Sequence, residues 1–82
     1  MQWWKQPVII KTNRLGERMV IESTEGATDF LLSHWPQNSS GYAFTAAKVV
    51  LLEAFDGKRQ WPDARQALIA ALNEANIAFS EG

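Results

Sequence analysis

His34 is the only histidine in this chain of 82 residues, and there is no cysteine. A metal site of paired imidazoles or of thiolates cannot be assembled within one such chain. Disulfides and a cysteine nucleophile are excluded as well. His34 precedes Trp35 at the expected end of a helix, where the dipole mildly favours a protonated ring. Its neighbour Ser33 points elsewhere, because adjacent residues do not face each other on a helix. Ser39 and Ser40 have no evident base or orienting carboxylate. His34 therefore reads as an ordinary surface or half-buried histidine. Glu25 and Asp29, four apart, share a helix face and could hold a cation, but acids in a first helical turn already have a structural reason. Gly16, Gly26, Gly41 and Gly57 fall one per junction and make no phosphate-binding loop. The expectation is no enzyme, no cofactor, no metal and no small-molecule substrate.

Two other constellations could bind something. The first is basic. Lys5, Lys11, Arg14 and Arg18 lie in the first twenty residues against Glu17 alone, which leaves the rest of the chain acidic at a formal net charge of -1. With Trp3 beside them, these cations could hold phosphates and stack a base. The competing reading is solubility: charged side chains on a small sheet prevent edge-to-edge aggregation. The overall charge also opposes a dedicated nucleic-acid binder. The second constellation is apolar. Trp3, Trp4, Trp35 and Trp61 are a surplus for a domain this size, and aromatic residues left outside favour protein interfaces. The candidate interface is Trp3, Ile9 and Val20. The competing reading is that the N-terminal segment and Trp61 fold over the core.

These residues are positioned by a hairpin. Pro7 to Thr12 and Arg18 to Ser23 are short, β-branched stretches that read as strands, giving a hairpin over 7–23. Asn13 to Gly16 is a four-residue loop in which Gly16 supplies positive φ. That loop sets Thr12 opposite Glu17, Ile10 opposite Met19 and Val8 opposite Ile21 on one face. The other face sets Ile9 opposite Val20 and Lys11 opposite Arg18. Two cations placed opposite each other are mildly unfavourable. They mark either a small cost at a solvated tip or a bound anion. Trp4 shares the face of Val8 and Ile10 and is expected to be more buried than Trp3.

Three helices follow, at about 24–35, 41–56 and 62–75. In the first, Ala27, Phe30, Leu31 and Trp35 form one stripe that Leu32 widens, Ser23 or Thr24 caps, and Pro36 stops the helix. In the second, Ser39 or Ser40 is expected to cap. Its apolar positions, Phe44 to Phe55 with Val49 and Leu52 broadening the stripe, predict a central helix, and Gly57 ends it in the left-handed region. In the third, Pro62 opens the first turn. Ala64, Leu68, Ala71, Leu72 and Ala75 form its stripe with Ile69 at the margin, and Asn76 and Ile77 fit a Schellman ending. Ile77 to Phe79 reads as a short extended tail whose pairing with the hairpin is open.

The pieces Pro7-Val8 with Ile10, then Phe30-Leu31-Leu32 with Trp35-Pro36, then a helix ending at Gly57, then Pro62 with Ala67, Ala71, Ala75 and Ile77 resemble the small bacterial domain-of-unknown-function family 982. The resemblance covers roughly residues 4–77, and FLLSHWP is its most specific piece. It implies a stand-alone bacterial α+β domain and no activity. Asn76 stands where that family usually has glycine, and asparagine is the next best residue for the backbone there. The tandem Trp3-Trp4 is not required by the family pattern.

At this length a single domain is expected. Its apolar fraction of 46% with 21% charged residues is that of a globular protein. MQWWKQPVII lacks the apolar run of a signal peptide, and Val49 to Leu52 is far too short to span a bilayer. A cytoplasmic location and no membrane partner are expected. The reading is thus an α+β domain in the order β-β-α-α-α, a two-stranded antiparallel hairpin with three helices on one face. Its expected role is a non-enzymatic protein-interaction or regulatory module, with a protein partner or a weak homodimer. The alternative is a nucleic-acid-associated accessory protein using the basic hairpin.

Overall fold

The hairpin forms in the expected register. The computed structural model describes residues 2–11, 17–36 and 41–81. In it β1 (Trp3–Lys11) runs antiparallel to β2 (Arg18–Ser23). Val8 lies opposite Ile21, Ile9 opposite Val20, Ile10 opposite Met19 and Lys11 opposite Arg18. The turn at Asn13 to Gly16 and the Thr12–Glu17 pair fall outside the described residues. β1 begins at Trp3 rather than at Pro7. Trp3 pairs with Ser23, and the register shifts between Trp3 and Val8. Pro7, which has no N–H to give a ladder, sits in that irregular stretch. The strand is held there by Arg65, whose Nε donates to the Gln6 carbonyl at 2.9 Å and whose Nη2 reaches the Pro7 carbonyl at 3.5 Å.

The sheet has three strands, not two. After α1 (Thr24–Ser33), α2 (Tyr42–Phe55) and α3 (Trp61–Glu74), the tail forms β3 (Phe79–Ser80) on the other side of β1. The order is β2-β1-β3. The expected helix ending makes this return possible. Asn76 adopts φ 57°, its N–H donates to the Asn73 carbonyl at 3.2 Å, and the Ile77 N–H donates to the Leu72 carbonyl at 3.0 Å. These are the two bonds of a Schellman motif. Arg65 also pairs with Glu81 at 3.2 Å, tying the end of the tail to α3.

Trp4, Val8, Ile10 and Ile21 are buried on the inner face of the sheet. The Trp4 indole N–H donates to Thr24 Oγ1 at 3.1 Å, and that hydroxyl donates to Gln2 Oε1 at 3.0 Å. A tryptophan can be buried only if its N–H finds such a partner. α1 rests against β2, and α3 rests against β1. Ser23 caps α1 by accepting the Gly26 N–H at 3.0 Å. α1 ends two residues short of Trp35, because Pro36 disfavours helical geometry before it. Trp35 still packs, edge-on to Phe30 with centroids 5.6 Å apart and tilted on Phe44 at 5.0 Å.

α2 is not the central helix. It packs mainly on α3 and then on α1, and it buries Ala47, Leu51 and Ala54. Val49, Leu52 and Phe55 are exposed. Two small alanines on its buried side draw α2 close to α3, so the larger side chains turn outward. The sheet is thus covered by α1 and α3, with α2 riding on both. The N-cap of α2 is Gly41, which has no side chain to cap with. Glu74 on α3 does it instead, accepting the Ala43 N–H at 3.0 Å and the Phe44 N–H at 3.3 Å. Ser39 and Ser40 lie outside the described residues. Gly57, at φ 81°, ends α2 as expected.

Candidate functional site

The residues with catalytic potential are dispersed. His34 caps the end of α1 with its side chain about half exposed, and its Nε2 lies 3.7 Å from Asp29. Glu25 accepts the Gln2 N–H at 3.3 Å, so the two carboxylates of the first helix serve different neighbours. Arg59 donates to Glu53 at 2.8 Å and approaches Asp63 at 3.8 Å. The hydrogen bond to Glu53, followed by that carboxylate's charge, raises the pKa of the guanidinium. This is an exposed brace at the α2–α3 junction.

The outer face of the sheet is better defined. Backbone pairing sets Ile9 between Val20 on β2 and Ser80 on β3. Ile9 is half-buried and Val20 is 54% exposed. Lys11 and Arg18 form the next row, and both are exposed. Trp3 is 63% exposed, but it pairs with Ser23 rather than with this row. Its pairing position lies three residue steps along β2 from Val20, about 10 Å. Trp4 is buried, while Trp35 and Trp61 are half-buried against the core. The tryptophan surplus at the surface therefore reduces to Trp3.

The basic constellation comes together only in part. Lys11 and Arg18 are opposite each other, but Lys5 lies within the irregular stretch, about 20 Å along β1 from Lys11. Arg14 falls outside the described residues. A further apolar surface was not anticipated. Leu32 of α1, 61% exposed, joins Leu52 of α2 at a shallow open groove that Thr28, Leu31, Lys48 and Leu51 complete. The sequence signal for it was present. Val49, Val50, Leu51 and Leu52 in succession place apolar groups all round one helix, more than a single contact stripe can absorb.

The model of the family described as "Protein of unknown function (DUF982)" matches residues 6–79, which takes in all three helices and nearly the whole sheet. The chain belongs to this family. Trp3 of this DUF982 chain lies outside the matched span, whereas Ile9, Lys11, Arg18 and Val20 lie within it. No curated protein matches the chain, and no solved structure does. Among the described residues, no helix is long and apolar enough to cross a membrane.

Proposed function

We propose that this DUF982 chain is a non-enzymatic protein-interaction module of the cytosol, working through the outer face of its sheet around Ile9 and Val20. The observation that supports this is the cross-strand pairing of those two residues on the face that no helix covers. β-Branched residues side by side on a solvated sheet lower solubility unless a partner covers them. A helix-borne apolar groove at Leu32 and Leu52 adds a second surface of the same kind. The cysteine-free sequence suits a reducing compartment.

The test is capture of partners by the tagged full chain from its own cell lysate, in nuclease-treated and untreated halves. The expected result is a protein retained after nuclease and at moderate salt, and lost with Val20→Glu. A second reading, nucleic-acid association, draws on the opposed Lys11 and Arg18. It predicts the opposite: material that disappears with nuclease and weakens steeply with salt.

A further inference from the structure

β2 is one of the two edge strands of the sheet, and the longer of them. The Lys11 N–H donates to the Ala78 carbonyl at 2.9 Å, so Lys11 and Ile9 turn their backbone groups toward β3. By the alternation of an antiparallel ladder, Val8 and Ile10 turn theirs toward β2, where Ile21 and Met19 meet them. The N–H and C=O groups of Arg18, Val20 and Glu22 therefore point away from the sheet. Edge strands are normally blunted by proline, a bulge or charged side chains. β2 has no proline, and the one register shift lies outside its Arg18-to-Ile21 stretch. Its two outer charges are opposite in sign and placed symmetrically about Val20. Among the described residues, neither Arg18 nor Glu22 has an ion-pair partner.

We infer that this edge is the docking site for a second copy of the chain, the two β2 strands pairing antiparallel about a two-fold axis at Val20. The inference rests on reading the outer sheet face as an interaction surface, and it names the partner. In this register Val20 faces its own copy, Arg18 faces the partner's Glu22, and Met19 faces the partner's Ile21. Sliding the strands by one two-residue step, the smallest that keeps these side chains on one face, sets one of the charges against valine. A further step sets Arg18 against itself in one direction and Glu22 against itself in the other. Only the centred register pairs both charges, and cross-strand charge pairs discriminate registers in this way. The dimer would hold one continuous six-stranded sheet. On its outer face Ile9, Val20 and their two copies would form an unbroken apolar row.

The arrangement also accounts for the opposed cations. Lys11 faces Arg18 across β1 and β2. In the dimer the partner's Glu22 lies directly beyond Arg18, so an anion completes the row. The counter-ion suggested by that like-charge pair is then the chain itself.

The experiment is sedimentation of the full chain from low to high micromolar concentration, for wild type, Arg18→Glu, Glu22→Arg and the double exchange. Both sites are exposed, and circular dichroism verifies folding of each variant. The expected result is a wild-type dimer that dissociates on dilution. Each single exchange puts two like-charge pairs in the interface and weakens association by about tenfold or more. The double exchange restores it. Amide exchange at Val20 slows with concentration in the wild type. A monomer throughout the range overturns the inference, and so does a dimer indifferent to the exchanges. If the monomer still captures a nuclease-resistant partner that Val20→Glu abolishes, the interaction module stands and only the second copy fails.

Discussion

Glu74 joins two helices, and its contribution can be isolated by pairing it with Gly41. Its carboxylate accepts the Ala43 N–H with both oxygens at 3.0 Å and the Phe44 N–H at 3.3 Å. These are orphan donors of the first turn of α2, whose N-cap is a glycine. Replacing a capping acceptor costs about 1 kcal/mol, and the negative charge adds about 0.5 kcal/mol against the dipole. Glu74→Ala is therefore expected to cost about 1.5 kcal/mol, a fall in Tm of about 6–12 °C for a domain of this size. A Cβ built on Gly41 would lie 2.6 Å from Glu74 Oε1 and 2.8 Å from its Cδ. The carboxylate end is flexible and can swing away, so the steric cost is small but the cap is lost. The backbone of Gly41, at φ -134° and ψ -159°, suits any residue. Alanine caps less well than glycine but reduces unfolded-state entropy, and these effects roughly offset. Gly41→Ala should thus cost about 1 kcal/mol in the wild type and close to nothing in Glu74→Ala. Urea unfolding of the four proteins, followed by tryptophan fluorescence, gives the coupling energy directly. Strictly additive losses would refute the claim that Glu74 holds α2 from α3.

Arg65→Met should cost about 2 kcal/mol in chemical denaturation, because a charged donor to the Gln6 and Pro7 carbonyls is lost, while Glu81→Gln should cost well under half as much. An unchanged midpoint for Arg65→Met would show that the irregular stretch of β1 needs no brace. Thr24→Val removes the acceptor of the buried Trp4 N–H and the donor to Gln2, with an expected loss of about 2 kcal/mol and a shifted Trp4 side-chain resonance by NMR. Asn76→Gly should raise stability by about 0.5 kcal/mol, since φ 57° suits glycine better, and Gly57→Ala should lower it by about 1 kcal/mol. Thermal melts of both variants check the two signs together.

The hairpin register was legible because the expected four-residue loop and the period-two alternation agree on one solution. A one-residue slip would send the apolar set of one strand to the solvent, and the loop length excludes a two-residue slip. The ends of α2 and α3 were legible because left-handed residues leave few alternatives, and Gly57 and Asn76 both adopt that region. The third strand was not legible. Phe79–Ser80 is too short to carry a pattern, and its pairing depends on where the chain emerges after Asn76. Arg65 was invisible for a related reason. A lone arginine on the polar flank of a helix reads as solvated, and only the irregular stretch of β1 gives it carbonyls to bind. The placement of α2 was misread because its apolar residues surround it. Pattern alone reports how much apolar surface a helix has, not which part its neighbours cover.

Two exposed apolar areas compete as the proposed docking surface, and the charges around them differ in what they have left to offer. On α2 the charged residues are already engaged within the chain. Lys48 lies over the Phe44 ring at 5.5 Å, and Glu53 accepts from Arg59 at 2.8 Å. A partner arriving there would have to displace those contacts or make do with apolar contact alone. Along β2 the situation is reversed. The backbone groups of Arg18, Val20 and Glu22 face outward by the logic of the ladder, and the two side-chain charges have no ion-pair partner among the described residues. Directional, unspent hydrogen-bonding and charge at one edge favour a partner of defined register, whereas the groove at Leu32 and Leu52 favours only something apolar. A defined register needs the former, which is why the proposed second copy is placed at the sheet edge rather than in the helical groove.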